Sequence, residues 1–131
     1  MASRYGEPLF VISVAARLLE MHPQTLRKYE REGLIAPSRT SGNLRLYSDR
    51  DIERLRQVKY LVEQRGLNLA GVQLALELTR RVRELRAGLA NGTREATSGT
   101  EAAALLAREL DGVLAMLGFI EEPSATTRRE R

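Results

Sequence analysis

The chain has 131 residues, enough for one small domain with an appendage, and 43% of them are hydrophobic, enough to fill a modest core. It has no cysteine and a single histidine, His22. Disulfides, thiolate metal sites and thiol redox chemistry are thereby excluded, and no metal or cofactor is expected. The formal charge of +4 is unevenly placed: residues 1–68 carry 12 Lys and Arg against 8 Asp and Glu, whereas residues 69–131 carry 9 of each. A basic N-terminal half is the electrostatic footprint expected of a phosphate-binding module. No apolar run approaches the roughly 20 residues that span a bilayer, and no signal-peptide pattern opens the chain, so a cytoplasmic location is expected.

Residues 1–8 read as a flexible lead-in, and Leu9-Phe10-Val11-Ile12 as a short extended segment. Ser13 is placed to cap a first helix whose buried face is Val14, Leu18 and Leu19. Met21-His22 makes a turn, with His22 structural there. Pro23 suits the first position of a second helix, where its missing N–H is not needed. On that helix Leu26 faces inward, Gln24, Thr25, Arg27, Lys28 and Arg31 lie on other faces, and Gly33 supplies a left-handed stop. Two short helices, the second polar and basic outside, are the layout of a helix-turn-helix, whose second helix enters the DNA major groove.

Two β-prone arms around Ser41-Gly42-Asn43 then read as a hairpin carrying Arg39 and Arg45, a wing beside the helix-turn-helix. Ser48 caps a third helix over residues 49–65, with Asp49 and Asp51 at its positive end and Ile52, Leu55, Val58, Leu61 and Val62 closing the core. Gly66 ends it. Asn68 caps a fourth helix running to about Ala90, along which Ala75, Leu78, Val82, Leu85 and Leu89 alternate at spacings of 3 and 4, as in a coiled-coil seam. Residues 91–100 form a flexible break. A last helix over 101–118 carries Leu106, Leu110, Val113 and Leu117, and a disordered tail is expected over 119–131. The fold class is therefore mostly α. A winged helix-turn-helix over 9–78 precedes dimerisation helices over 79–118, with Leu78, Val82, Leu85 and Leu89 as the seam that a second subunit covers.

Thr25-Leu26-Arg27-Lys28-Tyr29-Glu30, Gly33-Leu34-Ile35, Pro37, Arg39, Arg45, Tyr47-Ser48 and Asp51-Ile52 resemble the winged-helix domain of MerR-type transcription regulators over residues 9–78. Val11 to Ala16, His22 to Arg27 and Gly66 to Val72 are similar to the heat-shock repressor (HspR) subfamily. The resemblance implies a homodimer on an inverted repeat of double-stranded DNA, repressing chaperone genes with the chaperone DnaK as co-repressor. Many members of the family have two tyrosines after the Leu-Arg of the recognition helix; here Lys28 replaces the first, and only Tyr29 carries over.

The residues expected to contact DNA are Gln24, Thr25, Arg27, Lys28 and Tyr29 on the recognition helix and Arg39, Arg45 and Tyr47 on the wing. An ordinary solvated helix and a plain charged hairpin are the bland readings of the same residues. A glutamine-synthetase-repressor type shares the Gly-Asn-x-Arg-Leu wing, but His22-Pro23-Gln24 argues against it. A protein-interaction adaptor is the reading in which the seams outweigh the wing. An enzyme is disfavoured: the sequence shows no phosphate-cradling glycine loop, nucleophile elbow or metal cluster.

Overall fold

A computed structural model of the chain describes residues 5–95 and 100–120. The elements run β1 (Pro8–Val11), α1 (Ile12–Leu19), α2 (Pro23–Arg31), β2 (Ser38–Arg39), β3 (Arg45–Ser48), α3 (Asp49–Glu63), α4 (Leu69–Glu95) and α5 (Thr100–Met116). They fall into two compact units, residues 1–73 and 74–131.

In the first unit, α1 and α2 form the helix-turn-helix. Helix α1 has Val11 as its N-cap with no side-chain cap, so Ser13 lies inside the first turn and does not start the helix. Its buried residues are Ala15, Ala16 and Leu19, while Leu18 is exposed and Val14 half-buried. The expected face was thus wrong in part. The small alanines are the side chains that let α1 approach β3, α2 and α3 closely, all of which it touches. Glu20 ends α1 in the left-handed region at φ 54°, and the Lys59 ammonium donates to the carbonyls of Leu19 and Glu20 at 3.0 and 3.3 Å. A cation thus meets the negative end of that helix. The next helix starts as its sequence dictates, with Pro23 at its first turn and the His22 Nδ1 accepting the Gln24 amide at 3.0 Å. Gly33, at φ 80°, turns the chain out of α2.

The sheet is three-stranded in the order β1-β3-β2, all neighbours antiparallel. Sequence alone places the two wing strands; β1 joins them by pairing Val11 with Leu46 and Phe10 with Tyr47. The lead-in is fastened from Tyr5 onward. The Arg50 amide donates to the Tyr5 carbonyl at 2.9 Å, the Arg50 guanidinium lies over the Tyr5 ring, and the Tyr5 hydroxyl donates to Glu53. Ser48 closes β3 and opens α3 through a capping box, its Oγ accepting the Asp51 amide at 3.0 Å while the Asp51 carboxylate accepts the Ser48 amide at 3.0 Å. Leu26, Tyr47, Leu55, Leu61, Val58 and Val72 are the largest fully buried side chains around which the unit packs.

The second unit is a helical hairpin. Helix α4 starts where Asn68 caps it, its Oδ1 accepting the Gly71 amide at 2.9 Å. It continues past Asn91-Gly92 to Glu95, beyond the expected end near Ala90, since one glycine costs a helix only about 1 kcal/mol. Residues 96–99, the rest of the expected break, lie outside the described residues. Arg86 pairs with Asp111 at 3.1 Å, and Arg83, further back on α4, lies over the ring of Phe119, further on past α5. The two helices are therefore antiparallel. Phe119 is buried, so the expected tail does not begin there; residues 121–131 lie outside the described residues.

At 100° per residue, Val82, Arg86 and Leu89 share one line along α4, and Leu110, Leu114 and Leu117 share one along α5. These are the half-buried or buried positions. Leu78 and Leu85 flank the first line, and Leu106 and Val113 flank the second in the same sense. In an antiparallel pair those flanks face the same side, and all four residues are exposed. Arg83 and Asp111 belong to the other side. One side of the hairpin is thus polar and internally tied; the other carries these four exposed apolar residues, with Arg81 and Glu109 beside them.

The capping box makes a direct prediction. Replacing Ser48 by Ala leaves the Asp51 amide at the β3–α3 junction without its partner and should lower stability by about 1 kcal/mol. Urea denaturation monitored by circular dichroism checks this: a lower midpoint at unchanged slope is the expected result.

Candidate nucleic-acid interface

The outer face of α2 follows from its two buried residues. With Leu26 and Tyr29 inward, the helical period puts Gln24, Arg27, Lys28 and Arg31 on the opposite arc. Gln24, Lys28 and Arg31 are exposed, and Arg27 and Thr25 are half-buried on opposite flanks. Arg27, Lys28 and Arg31 form no ion pair with any described residue, so three cations on one short helix remain uncommitted. Lys28 and Arg31 also sit in the last turn of the helix, where the macrodipole favours positive charge.

Elsewhere in the basic half, several cations are spent on the fold. Arg54 donates to the Leu34 carbonyl at 2.6 Å and Lys59 caps α1. The wing arginines are committed as well. Glu30, in the last turn of α2, accepts Arg45 Nε on Oε1 at 2.6 Å and Arg39 Nη2 on Oε2 at 2.7 Å. Arg39 Nη1 also donates to the Asn43 carbonyl at 3.3 Å. Burial pushes the Glu30 carboxyl up, but the hydrogen bonds and charges of Arg45 and Arg39 outweigh it and hold it below the ordinary glutamate value.

The two tyrosines named from sequence sit inward. Tyr47 is wholly buried and its hydroxyl has no hydrogen-bond partner among the described residues. Burial raises its pKa, against the opposing pull of Arg45, while Glu30, Arg39 and Arg27 lie close enough to act on it too. Tyr29 is 7% exposed; burial raises its pKa, followed by the charges of Glu63 and Glu32, so its hydroxyl has carboxylates for neighbours. Gln24, Thr25, Arg27 and Lys28 are brought together on α2. Arg39 and Arg45 join them through Glu30, a residue sequence reading did not single out. The available signal was the wing itself: Arg39 and Arg45 are directly opposite each other across β2 and β3, and like charges in such a pair require a counter-charge.

Among the described residues no group of three or more His, Asp or Glu could hold a metal ion, and no helix is long and apolar enough to cross a membrane. A family model described as MerR HTH family regulatory protein matches residues 10–79, the whole of this helix-turn-helix and wing. The chain belongs to the MerR family. That is a family of transcription regulators, not of enzymes. Over 80 residues the chain is 56% identical to a protein of Streptomyces coelicolor named putative heat shock protein HspR, an alignment covering 61% of this chain and 53% of that one. It is 40% identical over 73 residues to the HTH-type transcriptional regulator GlnR of Bacillus anthracis, covering 56% of each. It is 38% identical over 69 residues to the HTH-type transcriptional regulator MlrA of Escherichia coli, covering 52% of this chain and 28% of that one. The chain thus spans about half the length of the first two relatives.

The orphaned hydroxyl of Tyr47 generates a stability prediction. A buried donor without a partner is costly, so Tyr47→Phe should leave stability unchanged or raise it by up to about 1 kcal/mol. A loss of 1 kcal/mol or more in thermal denaturation would mean the hydroxyl is satisfied in solution.

Proposed function

We propose that this MerR-family regulator is a sequence-specific DNA-binding repressor of heat-shock chaperone genes, acting in the cytoplasm as a homodimer on an inverted repeat. The observation that carries the DNA-binding reading is the unpaired cationic arc of α2 beside a wing tied to the same helix. Arg27 forks to a guanine edge or phosphate, Gln24 and Thr25 meet base edges from the first turn, and Lys28 meets the backbone. Tyr29 and Tyr47 support this surface from beneath, a role their burial favours over direct contact. The heat-shock assignment rests on the resemblance of Val11–Ala16, His22–Arg27 and Gly66–Val72 to that subfamily, together with the 56% identity to HspR. The co-repressor role of DnaK rests on the resemblance alone.

The second subunit is proposed to cover the open side of the α4–α5 hairpin. Leu78, Leu85, Leu106 and Val113 are 46, 62, 49 and 41% exposed there, a row of apolar residues on one side of the kind that marks an interaction surface. Of the four expected seam residues, Leu78 and Leu85 contribute to that face, while Val82 and Leu89 pack within the hairpin. A twofold dimer matches a palindromic operator. Because Leu78 and Leu85 are exposed, the double substitution Leu78→Glu, Leu85→Glu should leave the fold intact and convert a dimer to a monomer by sedimentation. An unchanged dimer would place the interface elsewhere.

Selection from a random duplex pool, followed by fluorescence anisotropy at two salt concentrations, tests the DNA-binding reading. An enriched inverted repeat bound with strong salt dependence is expected, tightened by added DnaK. Binding indifferent to DnaK would remove the co-repressor, and no enrichment would leave the adaptor reading. Arg27→Ala should cost about 1–3 kcal/mol on the selected site and relax one base position. Lys28→Ala should instead weaken all duplexes alike and lower the salt slope by about 1 per half-site. If Arg27→Ala binds every duplex as the parent does, α2 is not the reading helix.

A further inference from the structure

Glu30 stands in the wrong place for a bystander. It is an acid in the last turn of a helix otherwise lined with unpaired cations, where a bare carboxylate would repel phosphate. Each of its oxygens is instead occupied by a different wing arginine, one from β2 and one from β3. Those arginines are directly opposite each other, so the carboxylate also relieves their mutual repulsion.

The two arginines are not held alike. Arg39 is tied twice, by Nη2 to Glu30 and by Nη1 to the Asn43 carbonyl in the wing turn. Arg45 is tied once, by Nε, at 2.6 Å. Its two terminal nitrogens make no hydrogen bond with the described residues. Guanidinium is planar and rigid, so a carboxylate fixing Nε determines where the terminal donors are presented.

We propose that Glu30 is the positioning residue of the DNA interface: it locks the wing to the recognition helix and orients Arg45 to donate its terminal nitrogens to a backbone phosphate, while Arg39 serves as a brace. This rests on the DNA-binding reading above and assigns the two wing arginines different work. Glutamine at position 30 keeps the size but has one acceptor oxygen and no charge, so it cannot hold both guanidinium groups. The wing is then free to swing, and the contacts made by α2 and the wing no longer share one frame. Non-specific binding, which needs charge and no frame, does not suffer, since a negative charge has been removed.

The test measures anisotropy of the full chain on the selected duplex and on a scrambled duplex of the same length, across a salt series. For Glu30→Gln we expect the selected site to weaken about tenfold or more while the scrambled duplex binds as tightly as before or more tightly. Glu30→Asp, which restores the charge, should recover most of the loss. In an Arg45→Gln background, Glu30→Gln should cost less than in the parent chain, since only the Arg39 brace is left to lose. A residue that merely holds the fold would lower both affinities together with the melting temperature, and a merely repulsive carboxylate would raise both. Either result overturns the proposal.

Should Glu30→Gln fail to fold, the single arginine variants decide. Arg45→Gln should lower the salt slope by about 1 per half-site and Arg39→Gln should leave it unchanged; equal effects would refute the division of labour. If the parent chain enriches no duplex at all, the DNA-binding reading itself falls, a failure distinct from parent-like specificity in Glu30→Gln.

Discussion

The burial of β3 between two neighbours is the constraint on which the DNA-binding unit depends. Four residues serve four partners. Arg45 reaches Glu30 on α2, Leu46 is paired with Val11 of β1 and Ser38 of β2, Tyr47 fills the core, and Ser48 caps α3. The recognition helix, the wing, the N-terminal strand and the core helix are thus all referenced to one short strand. The strand is held by burial of a complete Tyr ring whose hydroxyl finds no partner among the described residues, so apolar packing outweighs polar satisfaction at this point. A position so heavily used for packing is poorly suited to touch a ligand.

Charge in the same unit is divided between the fold and the surface. Several cations are neutralised or tied to carbonyls: Arg39 and Arg45 by Glu30, Arg54 by Leu34, Lys59 by the end of α1. Arg27, Lys28 and Arg31 on α2 form no ion pair with any described residue. Net charge alone would have spread the basic surplus evenly over the half-chain. Three cations without an ion pair among the described residues share the outer face of one nine-residue helix, which lets a modest overall charge produce a directed field.

Local signals were legible in the sequence wherever a single residue enforces a backbone geometry. Pro23 starts α2, Gly33 and Gly66 leave their helices through positive φ, and Ser48 and Asn68 cap the helices that follow them. What sequence did not disclose depends on contacts made across the chain. The buried face of α1 uses Ala15 and Ala16 where hydrophobicity favoured Val14 and Leu18, because closeness of approach, not apolarity, selected the residue. The 3–4 spacing of Leu78, Val82, Leu85 and Leu89 describes one seam, but it is divided between an inner line and an open flank once α5 is present. Arg39 and Arg45 read as two free contacts, because a carboxylate 9 and 15 residues away leaves no mark in local pattern.

A hydroxyl-radical footprint of the chain on a selected duplex bears most directly on the central claim, that the α2 face and its wing meet DNA as a twofold pair. Two symmetric protected patches on one face of the duplex are predicted, separated by about 10–10.5 base pairs or a multiple of that, with wing protection flanking each. A single patch, or uniform protection with no preferred face, would contradict it.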